Sequence, residues 1–144
     1  LRIAGGAPLS VRQQDVEIAG HAVEARVNAE SPSDGFMPTP GTLAVWAVPE
    51  GADVRVDTAC FPGWTITPYY DSLLAKVIAR GEDRRTAIDR LDSALAHLRV
   101  EGVETNAAFA RDVLADPDVR AGNVHTRWLE EVFMPNWRST EVAA

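Results

Sequence analysis

The sequence predicts an α+β fold, with a small, mostly antiparallel β-sheet followed by packed helices. Two observations predict it. Through residue 81, short segments alternate apolar and polar side chains, the period of two that marks strands, and Gly and Pro break the segments apart. From Asp83 the apolar period lengthens to three and four residues, the spacing of an amphipathic helix. Strands first and helices afterwards is the order in which helices pack to one side of an antiparallel sheet.

At 144 residues, one domain spanning 1–144 is expected. An apolar fraction of 46% is enough for a core, and 24% charged residues is ordinary for a soluble protein. A net charge of −7 and a pI near 4.9 argue against nucleic acid and anionic membrane as partners, because both call for a basic excess. No apolar run approaches the roughly 18 residues of a membrane span. Leu1-Arg2-Ile3 does not begin a secretory leader. A single cysteine, Cys60, excludes an internal disulfide and fits a cytoplasmic protein. Its neighbours Ala59 and Phe61 carry no charge to lower its pKa, so a structural thiol is expected rather than a nucleophile.

Gly5-Gly6 and Pro8 read as the end of a helix whose start is missing, so the chain is expected to be cut from a longer protein. Residues 1–15 are helix tail and loop. Residues 16–29 are expected to form two short strands about Gly20, with Val23, Ala25, Val27 and Ala29 on the apolar face. Residues 31–41 hold three prolines and two glycines and form a loop, which Phe36 and Met37 pin to the core. Residues 42–48 are a third strand and residues 54–57 a fourth. Phe61-Pro62-Gly63 turns the chain. Pro68 keeps Thr67 out of the helical region, and Tyr69 and Tyr70 open the apolar segment that Gly81 closes. Leu73, Ala75, Val77 and Ala79 give that segment a wholly apolar strand face. Its Leu, Ala and Lys residues also suit a helix. The segment directly behind it is the better helix, so a strand is expected.

Asp83 caps the first helix. Its stripe is Ala87, Ile88, Leu91, Ala94, Leu95 and Leu98, and its polar face includes Arg84, Arg85, Asp89, Arg90 and Asp92. A short extended piece is expected at residues 99–101. A second helix runs from Thr105 or Asn106 to Ala115, where Asp116-Pro117 stops it. A third, from Thr126 to about Phe133, buries Trp128, Leu129 and Val132. Residues 139–144 are expected to fray.

Few residues invite chemistry. Gly5-Gly6 does not make a phosphate loop. His21, His97 and His125 lack metal-ligand spacing, and no metal site is predicted. Asp71-Ser72 has no nucleophile-elbow sequence around it. Trp46 and Trp64 are expected in the core. Lys76 is expected to pack its stem and solvate its ammonium, and Glu24 with Arg26 to form a solvated ion pair. Arg55, between Val54 and Val56 and just after a turn, is the best candidate. A guanidinium stays protonated and offers several donors in a plane, which suits a developing oxyanion. From spacing alone, a surface salt bridge with Asp53 or Asp57 competes with that reading.

Six stretches carry a resemblance: "LRIAGGAPLS" (1–10), "GHAVEARVNAE" (20–30), "FMPTPG" (36–41), "VRVD" (54–57), "PYYDSLLAKV" (68–77) and "VEGVETN" (100–106). In this order they resemble the C-terminal domain of biotin carboxylases, the ATP-using components of biotin-dependent carboxylases. The resemblance covers nearly the whole chain and does not extend to the family's N-terminal and ATP-grasp domains.

It implies a parent ligase that uses ATP, Mg2+ and bicarbonate to carboxylate biotin on a carrier. In the family, bicarbonate is activated as carboxyphosphate, and the biotin ureido nitrogen is then carboxylated. ATP and Mg2+ would be bound by the ATP-grasp domain, so this chain alone is expected to be inactive. The implied partners are a biotin carboxyl carrier, a carboxyltransferase, the rest of the subunit and a second subunit in a homodimer.

Arg55 matches the family arginine that contacts the biotin ureido group and stabilises its enolate. Ala52 and Asp53 stand where the family often has glycines or an aromatic. Asp53, two residues from Arg55, is expected on the same side of the strand, where it could engage the guanidinium. Arg84 and Glu101 match the family's dimer contact. A scaffold domain of the same fold, and the equivalent part of a urea carboxylase or a carbamoyl-phosphate-synthase-like ligase, are the alternatives.

Overall fold

A computed structural model describes residues 1–137. The expected fraying of residues 139–144 lies outside them. The centre of the fold is strand β8 (Leu73–Gly81), flanked by β1 (His21–Asn28) and β6 (Val54–Thr58) in the order β1-β8-β6, all antiparallel. The register runs from His21 opposite Gly81 to Asn28 opposite Leu73, with a bulge between Val27 and Asn28. On the other side, Val54 faces Ala79 and Thr58 faces Ala75. Ala75, Val77 and Ala79 are fully buried, as their alternation predicts.

Helix α1 (Arg84–His97) covers that face with Ala87, Ile88, Leu91, Ala94 and Leu95. Asp83 caps it, accepting a bond from the Thr86 amide at 2.7 Å. That amide first, and then the Thr86 hydroxyl, hold the Asp83 carboxyl below the usual carboxylate range. The cap is therefore strongest above that range and is lost as pH falls through the lowered pKa. After α1 the chain returns as β9 (Arg99–Glu101), which pairs with β5 (Val45–Ala47).

Several expectations need correction. Residues 16–20 are not a strand. Val16 and Ile18 are exposed, with no sheet beside them to cover an apolar side chain, and pairing begins at His21. The expected third strand is two. β4 (Gly41–Thr42) pairs with β7 (Thr65–Ile66), and β5 pairs with β9. The change of partner falls at Leu43 and Ala44, whose amides donate to Trp64 O and Glu101 O. The loop at 31–41 contains one small ladder, β2 (Glu30–Ser31) with β3 (Met37–Pro38). Phe36 does pin this loop, edge-on to Phe109 at 5.0 Å, but Met37 faces solvent. Tyr69 and Tyr70 are 84% and 86% exposed and precede β8 rather than open it. Trp46 is core, and Trp64 is exposed.

Helix α2 (Ala107–Ala115) buries Phe109 and Leu114. Asn106 does not cap it with its side chain. Asn106 Oδ1 instead accepts the Asn28 amide at 2.9 Å, and its Nδ2 donates to Arg26 O at 3.2 Å. This joins the start of α2 to the bulged end of β1. Asp116-Pro117 ends α2 and also begins α3 (Pro117–Ala121), with Asp116 capping Asp118 at 2.8 Å. An Asp-Pro pair serves both as stop and as start, because Pro is favoured in a helix's first turn. The expected third helix is a wide π-turn, Leu129–Phe133. Trp128 is buried as expected, but Leu129 and Val132 are exposed, since a wider turn changes which residues share a face.

Candidate functional site

Arg55 lies on β6, the edge strand of the central sheet. Val54 and Val56 turn inward against the core, so Arg55 and Asp57 turn outward. The Arg55 side chain is 71% exposed, and its one partner among the described residues is Asp57, with Nε 3.2 Å from Oδ1. This is one of the two carboxylates that spacing offered. In solvent such a pair contributes at most about 1 kcal/mol, so an arriving anion can replace it.

Asp53 does not engage Arg55. It sits in the turn before β6, where strand alternation does not apply, and its carboxylate reaches Arg90 on α1, with Oδ2 2.9 Å from Nη1. The same Arg90 nitrogen donates to Arg80 O at 2.8 Å. Arg80 N in turn donates to Asp53 O at 2.9 Å. By its helical spacing Arg90 belongs simply to the polar face of α1. Nothing in its spacing from Asp53 signals the contact.

Two open grooves flank β6. One, of about 460 Å³, lies between α1 and the turn before β6 and is lined by Glu50, Asp53, Arg90, Ser93 and His97 among others. The second, of about 410 Å³, lies beyond the other end of β6, with Cys60, Trp64, Tyr70, Asp71 and Leu74 in its wall. Cys60 is half-buried and its Sγ donates to Leu74 O at 3.5 Å, the structural role expected of it.

The other candidates have structural partners. Asp71 accepts the Leu73 amide at 2.7 Å, and Ser72 Oγ donates to Glu30, so these two do not form a triad with a histidine. His97 Nδ1 lies 2.7 Å from Ser93 O. Glu24 and Arg26 are exposed, and among the described residues no ion pair joins them. Also among those residues, no group of three or more His, Cys, Asp or Glu side chains could hold a metal ion. No helix there is long and apolar enough to cross a membrane.

Arg84 and Glu101 are not brought together within one chain. Arg84 starts α1 and Glu101 lies in β9, beyond the other end of that helix, and each has a different partner. Arg84 donates from Nε and Nη2 to Val119 O, at 3.1 and 2.6 Å, and so holds the end of α3. Glu101 is exposed beside Arg99 at 3.6 Å.

The fold is that of biotin carboxylase domains from carboxylases, to which the similar solved structures belong. The sequence profile of the biotin carboxylase C-terminal domain matches residues 24–131, and the chain belongs to that family. "Biotin carboxylase 1" of Bacillus subtilis is 45% identical over 130 residues, covering 90% of this chain and 29% of that protein. The biotin carboxylase domain dimer of Hydrogenobacter thermophilus 2-oxoglutarate carboxylase, solved with MgADP, ADP and bicarbonate, is 42% identical with a TM-score of 0.86, over 90% of this chain and 29% of that one. Pyruvate carboxylase from Rhizobium etli, solved with acetyl coenzyme A, is 31% identical with a TM-score of 0.88, over 96% of this chain and 14% of that one. The chain spans about 29% of the length of the first curated relatives it matches.

Proposed function

We propose that residues 1–144 serve as one domain of a biotin carboxylase subunit and form a wall of the site where biotin, carried on a partner, is carboxylated. The observation that supports this most is Arg55, a guanidinium fixed on a strand, open to solvent and held by a single exposed carboxylate. It would face the negative charge that develops on the biotin ureido oxygen when the ring nitrogen becomes nucleophilic. Donors fixed before the reaction lower the barrier because they need no reorganisation.

No carboxylate cluster for a metal forms among the described residues. In this reading ATP and Mg2+ belong to the ATP-grasp part of a longer, cytoplasmic subunit that also meets a carboxyltransferase. The scaffold reading drew its support from Asp53 as a competitor for Arg55, and that support is gone because Arg90 holds Asp53. The test is incorporation of labelled bicarbonate into biotin by the full-length subunit with MgATP. Label appearing on biotin only when ATP, bicarbonate and biotin are all present is the expected result. ATP turnover unaffected by biotin, with no labelled biotin, would sink the proposal.

A dimer surface formed by Arg84 and Glu101 belongs to the same reading. The named dimer of the Hydrogenobacter domain supports the pairing of two such domains, and the choice of Arg84 and Glu101 rests on the family resemblance. In a two-fold interface, Arg84 of one subunit can meet Glu101 of the other. Arg84→Glu is expected to shift the full-length protein toward monomer in sedimentation. Arg84→Ala, which also loses the bonds to Val119 O, is the control for a merely disturbed α3. Equal dissociation constants for the wild type and Arg84→Glu would show that the surface lies elsewhere.

A further inference from the structure

We infer that Arg90 and Asp53 are a positioning pair for Arg55, an inference that rests on the role proposed for Arg55 above. Among the described residues β6 is an edge strand, with a ladder on one side only. Its place therefore depends on how its two ends are tied. At the far end, Thr58 Oγ1 donates to Leu74 O at 2.7 Å and accepts the Cys60 amide at 3.0 Å. At the near end the ladder is incomplete. Arg80 N donates to Asp53 O, but Arg80 O takes its bond from Arg90 Nη1 rather than from the backbone across the ladder. That nitrogen also meets Asp53 Oδ2. One guanidinium thus joins the central strand to the turn that leads into β6.

Arg90 is a firm anchor, because α1 is fixed to the sheet by Ile88, Leu91, Ala94 and Leu95. Two consequences follow for Arg55. The start of its strand is set two residues upstream. The carboxylate of Asp53 is also drawn toward α1, which leaves Arg55 with Asp57 alone. A second carboxylate on Arg55 would compete with an anionic intermediate. Arg90 and Asp53 side chains are 42% and 41% exposed, so their ion pair contributes little to global stability. An effect on rate larger than the effect on stability is therefore the mark of positioning.

The test uses the full-length subunit, with free biotin as substrate. Arg90→Met and Asp53→Asn are each expected to lower kcat for biotin carboxylation by roughly ten- to a hundredfold, the scale of a small misplacement of a catalytic group. The KM for ATP should stay as it is. In an Arg55→Ala background the same changes should cost almost nothing further, because residues that act as one unit are not additive. An undiminished fall in that background, or no fall in the parent, overturns the inference.

If Arg55→Ala itself leaves carboxylation intact, the role proposed for Arg55 fails instead. The pair is then judged by amide hydrogen exchange along β6. Faster exchange in Arg90→Met than in the wild type supports the tie, and equal exchange refutes it.

Discussion

Arg55→Lys and Arg55→Ala, made in the full-length subunit, are expected to cut biotin carboxylation by about a hundredfold or more, the scale of losing one oxyanion donor. Only a group that binds the transition state better than the ground state accelerates the reaction. Arg55 meets the structural conditions for such a group. Its backbone is fixed in the β6–β8 ladder, its side chain points away from the core, and its one partner among the described residues is weak. Lysine would keep the charge and lose the planar fork, so it should not rescue the rate. ATP affinity should barely move. Stability should fall by no more than about 1 kcal/mol, the most an exposed pair with Asp57 contributes. Carboxylation rate, ATP affinity and melting temperature measured on the same preparations decide the matter. A rate that survives, or that falls only in step with unfolding, would reduce Arg55 to a surface salt bridge.

The largest effect on stability is expected from Gly102→Ala. Gly102 has φ of +104°, a conformation that L side chains rarely adopt. A Cβ there would lie 2.0 Å from Thr42 O and 3.0 Å from Ala44 N, both backbone atoms that cannot swing aside. The neighbouring bond from the Ala44 amide to Glu101 O, at 2.7 Å, is where the chain passes from β4 to β5. A methyl group must therefore push β9 away from that crossing. A loss of about 3 kcal/mol or more is expected from strain and broken pairing together, a large part of a total that is typically about 5–15 kcal/mol. A fall in melting temperature of about 10 °C or more should follow. If thermal unfolding shifts by less than about 2 °C, the close approach at Gly102 is not a determinant of the fold.

The same junction shows where sequence reading stops. Residues 42–48 have strand composition, and a single strand is the simplest reading of them. The split into β4 and β5 arises because Leu43 and Ala44 bond to Trp64 and Glu101, partners 21 and 57 residues away. Local pattern contains no record of such partners. The exposure of Tyr69, Tyr70 and Trp64 was equally hidden, because an aromatic side chain is as apolar on a surface as in a core.

What the sequence determined by itself is local or periodic. The inner face of β8 follows from alternation, and α1 from its stripe and its Asp83 cap. Both patterns depend only on neighbours within a few residues, which is why they could be read from the sequence. Family membership was legible in the order of six short stretches. The outward direction of Arg55 was implied by its position between two valines. The tertiary structure decided which carboxylate Arg55 meets. Asp53 and Asp57 are each two residues from Arg55, and spacing alone cannot separate them. Arg90, 37 residues beyond Asp53, reaches across from α1 and binds the Asp53 carboxylate, leaving Asp57. The physical reason is that an ion pair is settled by distance in space, and that distance is fixed only once the helix has packed on the sheet.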